Sequence, residues 1–260
     1  MLIGVLGKTG RMGRLLAEEI ESSGHILAAE VLPVETLTDG AADAPDRRHA
    51  SLAGLAKNSD AIMDFTHADA LTAHAAALSA GRAAWILGTS GLSLADEARV
   101  REVAQYIPVV MAPSFAPGVT LLLALAERAA ASLPARRYDA EIIEMHHRHK
   151  VDAPSGTAIG LGRAVAKGRG VVFEDVAIRG RDGHTGPRPT GGIGFASMRG
   201  GQVVGEHKLV FAGFGEHITL QHEAFDRRVF AGGAVRAAEW VHGRKPGLYT
   251  MRDVLGLPAA

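Results

Sequence analysis

The sequence predicts an α/β fold with a parallel sheet up to about residue 115, followed by an α+β region with a mainly antiparallel open sheet. In the first region, short apolar runs alternate with amphipathic stretches, which is typical of βαβ units. In the second region, stretches of alternating polarity are separated by glycine pairs that favour hairpins. At 260 residues, the chain has room for two modest domains.

The first region opens with a strand, a glycine-rich turn and a helix. Residues 2–6 form a short apolar run, and residues 14–22 place apolar side chains on one helical face. Gly24 is placed to end this helix, because glycine commonly follows the last helical turn. Four more apolar runs and two helical patterns follow. The strands are expected at residues 25–32, 61–65, 83–87 and 108–111, and the helices at residues 69–80 and 94–105.

The second region opens with a long apolar helix at residues 119–132. Residues 138–146 then alternate in polarity, with Glu144 and His146 on the same face as the apolar residues, which predicts a strand. A helix is expected over residues 155–167, and no other helix before the last two. The strands are expected at residues 176–179, 193–199, 202–212 and 216–224, with hairpin turns at residues 200–201 and 213–215. The closing helices are expected at residues 231–242 and 251–255.

Composition and charge exclude several functional classes. The 28 Lys and Arg residues balance the 28 Asp and Glu residues, so the charge gives no reason to expect nucleic-acid binding. The absence of cysteine excludes disulfides, iron–sulfur clusters and thiolate zinc sites. Neither a run of about 18 apolar residues nor a complete signal-peptide core is present. We therefore expect a cytoplasmic protein without a membrane or nucleic-acid partner.

A glycine-rich loop lies between the first strand and the first helix. Gly7, Gly10 and Gly13 have the spacing G-x-x-G-x-x-G. Bare backbone lets a pyrophosphate approach, and the helix that follows offers amide N–H groups and the positive end of its dipole. The loop therefore predicts a Rossmann-like nucleotide-binding domain. The alternative is a tight turn that only packs the helix against the strand.

Cofactor choice depends on the end of the second strand, where a carboxylate about 20 residues beyond the loop would bind the ribose hydroxyls of NAD. Glu30 lies inside the predicted strand, and the positions after it, Leu32 and Pro33, are not acidic. We interpret Glu30 as a surface carboxylate, with a ribose contact as the alternative. Lys8 and Arg11 add positive charge to the loop. We therefore expect NADH and NADPH both to be accepted, with NADPH at least as good.

A second motif, EIIEMHHRHKVDAPSGTA at residues 141–158, holds a dense set of titratable groups. Its cationic and imidazole side chains follow directly after a predicted strand, at His146, His147, His149 and Lys150. Ser155 is placed to cap the next helix, which leaves the amides of Gly156 and Thr157 open. Such a site suits a carboxylate substrate. A zinc site, whose spacing is not H-E-x-x-H, and a solvated basic turn are the alternatives.

This second motif resembles the signature of the dihydrodipicolinate reductase family, NAD(P)H enzymes of the diaminopimelate route to lysine. Similar segments extend over nearly the whole chain and occur in the same order. They are GKTGRMG (7–13), MDFT (63–66), ILGTSG (86–91), APSF (112–115), GHTG (183–186), IGFASMRGGQVVGEH (193–207) and GLYTMRDVLGL (247–257).

The resemblance implies a domain organisation and an activity. Residues 1–115 and 228–260 would form the dinucleotide-binding domain, and residues 116–227 a central domain for substrate binding and oligomerisation, in a homotetramer. The implied reaction reduces 4-hydroxy-tetrahydrodipicolinate, a cyclic imine with two carboxylates, to tetrahydrodipicolinate by loss of water, hydride addition and protonation. The alternatives are another two-domain NAD(P)-dependent dehydrogenase acting on an amino or sugar acid, and a non-catalytic nucleotide-binding sensor.

Matching the motifs position by position also implies individual roles. His146 would be the catalytic acid and base, and Lys150 a proton donor. Substrate contacts would come from His147, Ser155, Gly156 and Thr157. The pyrophosphate of NADPH or NADH would be held by Gly7, Lys8, Thr9, Gly10, Arg11 and Met12. The nicotinamide end would be surrounded by Gly88, Thr89, Ser90, Ala112, Pro113, Ser114 and Phe115, although family members often carry Asn in place of Ser114. No metal is expected.

Overall fold

The structure is a computed structural model that describes residues 1–7, 9–28 and 51–258. Lys8 and Glu30, with Leu32 and Pro33, lie outside the described residues, so their predicted roles are not addressed by it. The chain divides into two compact units. The first unit combines Met1–Pro117 with Arg227–Gly256, and the second consists of Gly118–Asp226, to which the last residues from Leu257 are assigned.

The structure confirms the predicted alternation of strands and helices in the first region. The strands are β1 (Leu2–Leu6), β2 (Ile26–Leu27), β3 (Ala61–Asp64), β4 (Ala84–Leu87), β5 (Pro108–Met111), β6 (Tyr138–His146), β7 (Ala177–Ile178), β8 (Ile193–Arg199), β9 (Gly205–Gly213), β10 (His217–Ala224) and β11 (Gly247–Tyr249). The helices are α1 (Arg11–Ser22), α2 (Leu52–Asn58), α3 (Leu71–Ser79), α4 (Leu94–Val103), α5 (Pro117–Ser132), α6 (Gly156–Arg169), α7 (Phe173–Val176), α8 (Arg228–Val241) and α9 (Met251–Val254).

The first unit contains a six-stranded sheet in which every pairing is parallel. Its strand order is β11-β5-β4-β3-β1-β2. The chain leaves β1 for β2 on one side and returns to β3 on the other side of β1. Open α/β sheets bind their ligands at such a switch point, beyond the carboxyl ends of the strands. The glycine loop directly follows β1 and therefore lies at this point.

Apolar side chains cover both faces of this sheet. On one face, Ile3 and Val5 of β1 share a core with Leu16 of α1 and Ala234 of α8. On the other face, Trp85 of β4 belongs to a core with residues of α2, α3 and α4. Strands that are buried on both faces appear in the sequence as continuous apolar runs, which explains why these strands could be predicted. The short strand β11 was not predicted, because three residues are too few to show a period.

The second unit contains a five-stranded sheet with the order β10-β9-β6-β8-β7. Strand β6 lies at its centre, antiparallel to β9 and parallel to β8, and β7 is also parallel to β8. The sheet is therefore mixed, and its antiparallel part is β10-β9-β6. The predicted hairpin at Gly200-Gly201 is wrong, because β8 and β9 lie on opposite sides of β6. The predicted hairpin at Gly213-Phe214-Gly215 is confirmed, since it joins the paired strands β9 and β10.

One face of this second sheet carries the apolar core of the unit. Ala140 and Ile142 of β6 pack there with Phe211 of β9, and helices α5 and α6 cover them. The predicted alternation of β6 is confirmed, because its buried residues occur at every second position. Helix α7 is a correction to the sequence analysis, which expected no helix there and a longer strand in place of β7. Its four residues are too few to show helical periodicity.

Candidate active site

The inner face of β6 changes from apolar to polar at its carboxyl end. Glu144 and His146 continue the row begun by Ala140 and Ile142, and they are only 1% and 9% exposed. A buried carboxylate requires compensating charge and hydrogen bonds. The surrounding strands and the start of α6 supply them, so the end of β6 is a polar site set into an apolar face.

The Glu144 carboxylate accepts hydrogen bonds from several neighbours. The guanidinium of Arg199 on β8 donates to both oxygens, at 2.9 and 2.8 Å. Nδ1 of His146 lies 2.6 Å from Oε2, and the backbone N–H of Ser155 donates to Oε1 at 3.2 Å. Burial raises the pKa of Glu144, but the hydrogen bonds from Arg199, Ser197 and His146 outweigh it and lower the pKa to about 2. The carboxylate is therefore ionised near neutral pH.

The ionised carboxylate determines which nitrogen of His146 carries the proton. Because Glu144 can only accept, Nδ1 donates, and Nε2 of the neutral imidazole is left with its lone pair. Burial lowers the pKa of His146 more than the Glu144 charge raises it, and Lys150 and Arg199 lower it further. The ring lies over Gly205, where a Cβ would come within 3.0 Å of Nε2. His146 therefore offers one nitrogen as a base near neutral pH.

The N-terminus of α6 lies beside this pair. Ser155 caps the helix by accepting a hydrogen bond from Ala158 N–H at 3.2 Å, as predicted, and its Oγ lies 3.1 Å from Nε2 of His207. The hydroxyl of Ser155 is buried and already used, so its predicted contact with substrate stays a prediction. Gly156 and Thr157 form the first turn of α6. Their amides are placed to bind an anion.

Lys150 is held in the loop between β6 and α6. Its Nζ lies 2.7 Å from Oδ1 of Asp152, and its backbone N–H donates to the carbonyl of His147. Burial raises the pKa of Asp152, but the hydrogen bond and charge of Lys150 outweigh it, and the pKa is lowered. Arg199 also donates to the Asp152 carbonyl at 2.6 Å. The loop that carries Lys150 is thereby attached to the arginine that holds Glu144.

Three residues of this network carried no role in the sequence analysis. Glu144 was in the motif and on the predicted inner face, and an acidic residue at an inward position is the signal that could have found it. Arg199 and His207 lie more than 50 residues further along the chain, on β8 and β9. Burial lowers the pKa of His207 to about 3, which keeps this ring neutral beside His146.

In the first unit, the glycine loop has the backbone that a pyrophosphate needs. Gly7 has φ of +72°, a left-handed conformation that favours glycine. Gly10 donates its N–H to the Gly7 carbonyl at 3.0 Å and forms the N-cap of α1 without a side chain in the way. The first turn of α1, which contains Arg11 and Met12, is therefore open to an anion. These features fit a dinucleotide.

The loops after β3, β4 and β5 meet at the same edge of the sheet. A Cβ at Gly88 would lie 2.3 Å from the Phe65 ring, and the ring centroids of Phe65 and Phe115 are 5.3 Å apart. Ser114 Oγ accepts a hydrogen bond from Ala116 N–H at 3.3 Å. The segments predicted to surround the nicotinamide, Gly88–Ser90 and Ala112–Phe115, therefore lie together here.

The sequence analysis also assigned no role to Asp64 at this edge. Asp64 is buried at the end of β3 and accepts hydrogen bonds from Thr66 Oγ1 at 2.6 Å and from Trp85 Nε1 at 3.3 Å, which anchors the loop after β3.

Arg227, which the sequence analysis also missed, lies near Arg11. Burial, and then the charge of Arg11, lower the pKa of Arg227. Within the described residues, neither Arg11 nor Arg227 forms an ion pair with a carboxylate. The two guanidinium groups form a cationic patch that suits a phosphate.

The described residues contain no cluster of His, Asp and Glu arranged to hold a metal ion. No helix in this part of the chain is long and apolar enough to cross a bilayer.

Comparison with known proteins covers both parts of the chain. Residues 1–115 match the profile of the dihydrodipicolinate reductase N-terminus, and residues 118–255 match that of its C-terminus. A protein of Granulibacter bethesdensis named 4-hydroxy-tetrahydrodipicolinate reductase is 59% identical over 98% of this chain and 97% of its own length. A protein of Acidiphilium cryptum with the same name is 52% identical over the same shares of the two chains.

A solved structure has the same fold. The dipicolinate-bound dihydrodipicolinate reductase from Paenisporosarcina sp. TG-14 superposes with a TM-score of 0.75 at 24% identity, over 96% of this chain and 97% of that one. Together with the two profile matches and the similarity to full-length relatives, this assigns the sequence to one family: the chain belongs to the dihydrodipicolinate reductase family.

Proposed function

We propose that this chain reduces 4-hydroxy-tetrahydrodipicolinate to tetrahydrodipicolinate with NADPH or NADH, in the diaminopimelate route to lysine. The observation that carries the proposal is the oriented His146 beside Lys150 and the open N-terminus of α6, because the reaction needs a carboxylate to be bound and a proton to be moved. The relatives that match over the full length carry the same activity in their names. The two alternatives, a different dehydrogenase and a sensor, have no comparable support.

The dinucleotide is proposed to bind at the switch point of the first sheet. Gly7, Gly10 and the first turn of α1 would hold its pyrophosphate, with Arg11 and Arg227 adding positive charge. The segments Gly88–Ser90 and Ala112–Phe115 would surround the nicotinamide. When bound, the reduced nicotinamide supplies a hydride to carbon 4 of the substrate.

Substrate binding is assigned to charged and backbone groups of the second unit. One carboxylate would accept hydrogen bonds from the amides of Gly156 and Thr157, where the α6 dipole is favourable, and from the hydroxyl of Thr157. Lys150 would contribute its charge, and Asp152 keeps its ammonium in position. His147, half-buried after the end of β6, is proposed as a further contact.

The proton steps follow from the tautomer of His146. Its Nε2 takes a proton from the ring carbon between carbon 4 and the imine carbon, while Lys150 protonates the 4-hydroxyl, which leaves as water. Hydride addition to carbon 4 then creates an enamine electron pair at the same ring carbon. His146 returns its proton there and becomes neutral again, and Lys150 is recharged from solvent. The balance is one hydride and one proton consumed and one water released.

We further propose that residues 1–115 and 228–260 bind the dinucleotide, that residues 116–227 bind substrate and mediate oligomerisation, and that the enzyme is a cytoplasmic homotetramer. Within the second unit, the sheet face opposite α5 and α6 supports an oligomer, because Ala196 and Met198 of β8 and Thr219 of β10 are exposed there. Light scattering behind a sizing column should give four times the monomer mass, and a monomeric mass would contradict the oligomer.

The activity can be tested by following NADPH absorbance after mixing the protein with freshly generated substrate. We expect NADPH to be oxidised only when substrate is present, and oxidation to stop after one NADPH per substrate molecule. Replacing the substrate with dipicolinate, which is already aromatic, serves as the control and should give no oxidation. Absence of oxidation with fresh substrate and either reduced cofactor would contradict the proposal.

A further inference from the structure

We propose that Glu144 is a positioning residue, which holds His146 in the Nδ1-protonated tautomer, and that Arg199 holds Glu144 for this purpose. The inference deepens the proposed function and rests on it, because it explains how His146 is prepared for its role. Neither residue is proposed to touch the substrate.

The hydrogen bonds of Glu144 leave no room for another role. Its two oxygens accept from both terminal nitrogens of Arg199, from His146 and from the Ser155 backbone. A carboxylate offers about four lone-pair sites, so each of them is used. A substrate group could bind Glu144 only by displacing one of these donors. The carboxylate therefore acts on the imidazole and not on the reactant.

The His146 ring is restrained on several sides. Gly205 lies under Nε2, so a side chain at that position would collide with the ring. The ring of His207 meets it edge-on, with 5.0 Å between centroids, and His207 is itself bonded to Ser155. A flip of the His146 ring would replace Nδ1 by carbon opposite Glu144 and lose the 2.6 Å bond. The packing and the hydrogen bond select the same orientation.

Charged and titratable groups from every neighbouring element face this ring. Glu144 is on β6 itself, Arg199 on β8 and His207 on β9, and Lys150 comes from the loop before α6. Glu144 is the only anion among these four groups, so it alone attracts a proton to His146. Its removal should make His146 a weaker base.

Arg199 connects the two proton-transfer residues. One end of its guanidinium faces Glu144, and one nitrogen also donates to the Asp152 carbonyl at 2.6 Å. The Asp152 side chain in turn holds Lys150 at 2.7 Å. A single half-buried arginine thus positions His146 through a carboxylate and Lys150 through a loop.

The test combines imidazole NMR with kinetics. In ¹⁵N-histidine-labelled wild type near neutral pH, His146 should be protonated on Nδ1, and H146Q identifies its signals among the 12 histidines. In E144Q, the tautomer should become mixed. The value of kcat should fall about 10- to 100-fold with KM changed by less than about threefold, and the acid limb of the pH profile should move to lower pH.

E141Q is the matched control, because Glu141 is on the same strand and also binds an arginine, Arg181, at 2.8 Å but does not contact His146. It should keep the wild-type tautomer and pH profile. Protonation of wild-type His146 on Nε2 would overturn the proposal, even if E144Q fails to fold. An unchanged tautomer and pH profile in folded E144Q would also overturn it. Absence of turnover in the wild type would instead contradict the proposed function, so the two failures can be distinguished.

Discussion

The glycine loop in the first unit and the His146 site in the second unit are built from different parts of the chain, backbone groups in the loop and side chains at His146. The loop uses backbone: Gly7 in a left-handed conformation, the Gly10 N-cap and the first amides of α1. The His146 site uses side chains, and the charge of its buried Glu144 is compensated by Arg199 from another strand. A backbone site depends on a few consecutive residues, whereas a side-chain network depends on strands that meet only in the fold. Substitutions should therefore separate the two sites.

The largest separation is expected for H146Q. It should lower kcat about 10²- to 10⁴-fold, because general acid–base groups typically contribute that much. Binding of NADPH, measured by calorimetry, should stay within threefold of wild type, since His146 belongs to the second unit. Turnover within threefold of wild type would remove His146 from its proposed role.

The converse substitution is G7A, which should damage only the backbone site. Its Cβ would be held at φ of +72° and lie 3.0 Å from the Thr66 methyl group, so we expect at least about tenfold weaker dinucleotide binding and a loss of about 1–2 kcal/mol in stability. Gly24 has a similar φ of +76° with open space around it. G24A should lose similar stability but bind the dinucleotide normally, and equal binding losses in the two variants would contradict the assignment.

T157V should raise the KM for substrate about tenfold, because a hydrogen bond to a charged group contributes about 1.5–3 kcal/mol. Dinucleotide affinity should not change. T157S keeps the hydroxyl and should restore the wild-type KM. If KM is unchanged in T157V, the carboxylate does not bind the Thr157 hydroxyl, and an equal loss of affinity for both ligands would indicate a folding defect.

The buried network should also appear in the pH dependence of stability. The pKa of His207 is about 3 in the folded protein, below the ordinary value of 6.5. The unfolded chain therefore binds this proton more readily, and stability should fall as the pH decreases from about 6.5 towards 3. In H207Q the free energy of unfolding should depend less steeply on pH, and the slope should shrink by up to the equivalent of about one bound proton. Chemical denaturation at several pH values measures this slope. H184Q, at an exposed position, should not flatten it, and an unchanged decline in H207Q would contradict the burial argument.

The smallest effect is expected in cofactor choice. NADPH should bind at least as tightly as NADH, and the two affinities should differ by less than about tenfold, or about 1.4 kcal/mol. The reason is the positive charge of Arg11 and Arg227. Calorimetry with each reduced cofactor checks this, and NADH binding more than tenfold tighter would show that a ribose carboxylate is present.

The sequence predicted the elements that are determined by residues close together in the chain. Period-2 alternation predicted β6 and placed His146 at its end, and the glycine spacing predicted the loop before α1. Sheet order was not predictable in the same way. Glycines at 200–201 suggested a hairpin, but turn chemistry does not reveal that β6 inserts between β8 and β9.

The partners of the predicted residues were harder to find for the same reason. Asp64 and Glu144 were inside quoted motifs, but a carboxylate shows its role only when its donors are known. Arg199 is 55 residues from Glu144 along the chain, and no pattern in the sequence links the two. The side-chain network of the second unit therefore had to be read from the structure, whereas the backbone site of the first unit did not.

The central claim, that this chain delivers a hydride to its cyclic imine substrate, is tested most directly with a deuterated cofactor. NADPH carrying deuterium at its transferable position should be mixed with wild type and fresh substrate, and the product analysed by NMR. We predict one deuterium per product molecule, bound to carbon 4, and at least about 100-fold less deuterated product with H146Q over the same time. Cofactor oxidation without deuterium at carbon 4, or no transfer by the wild type, would contradict the account.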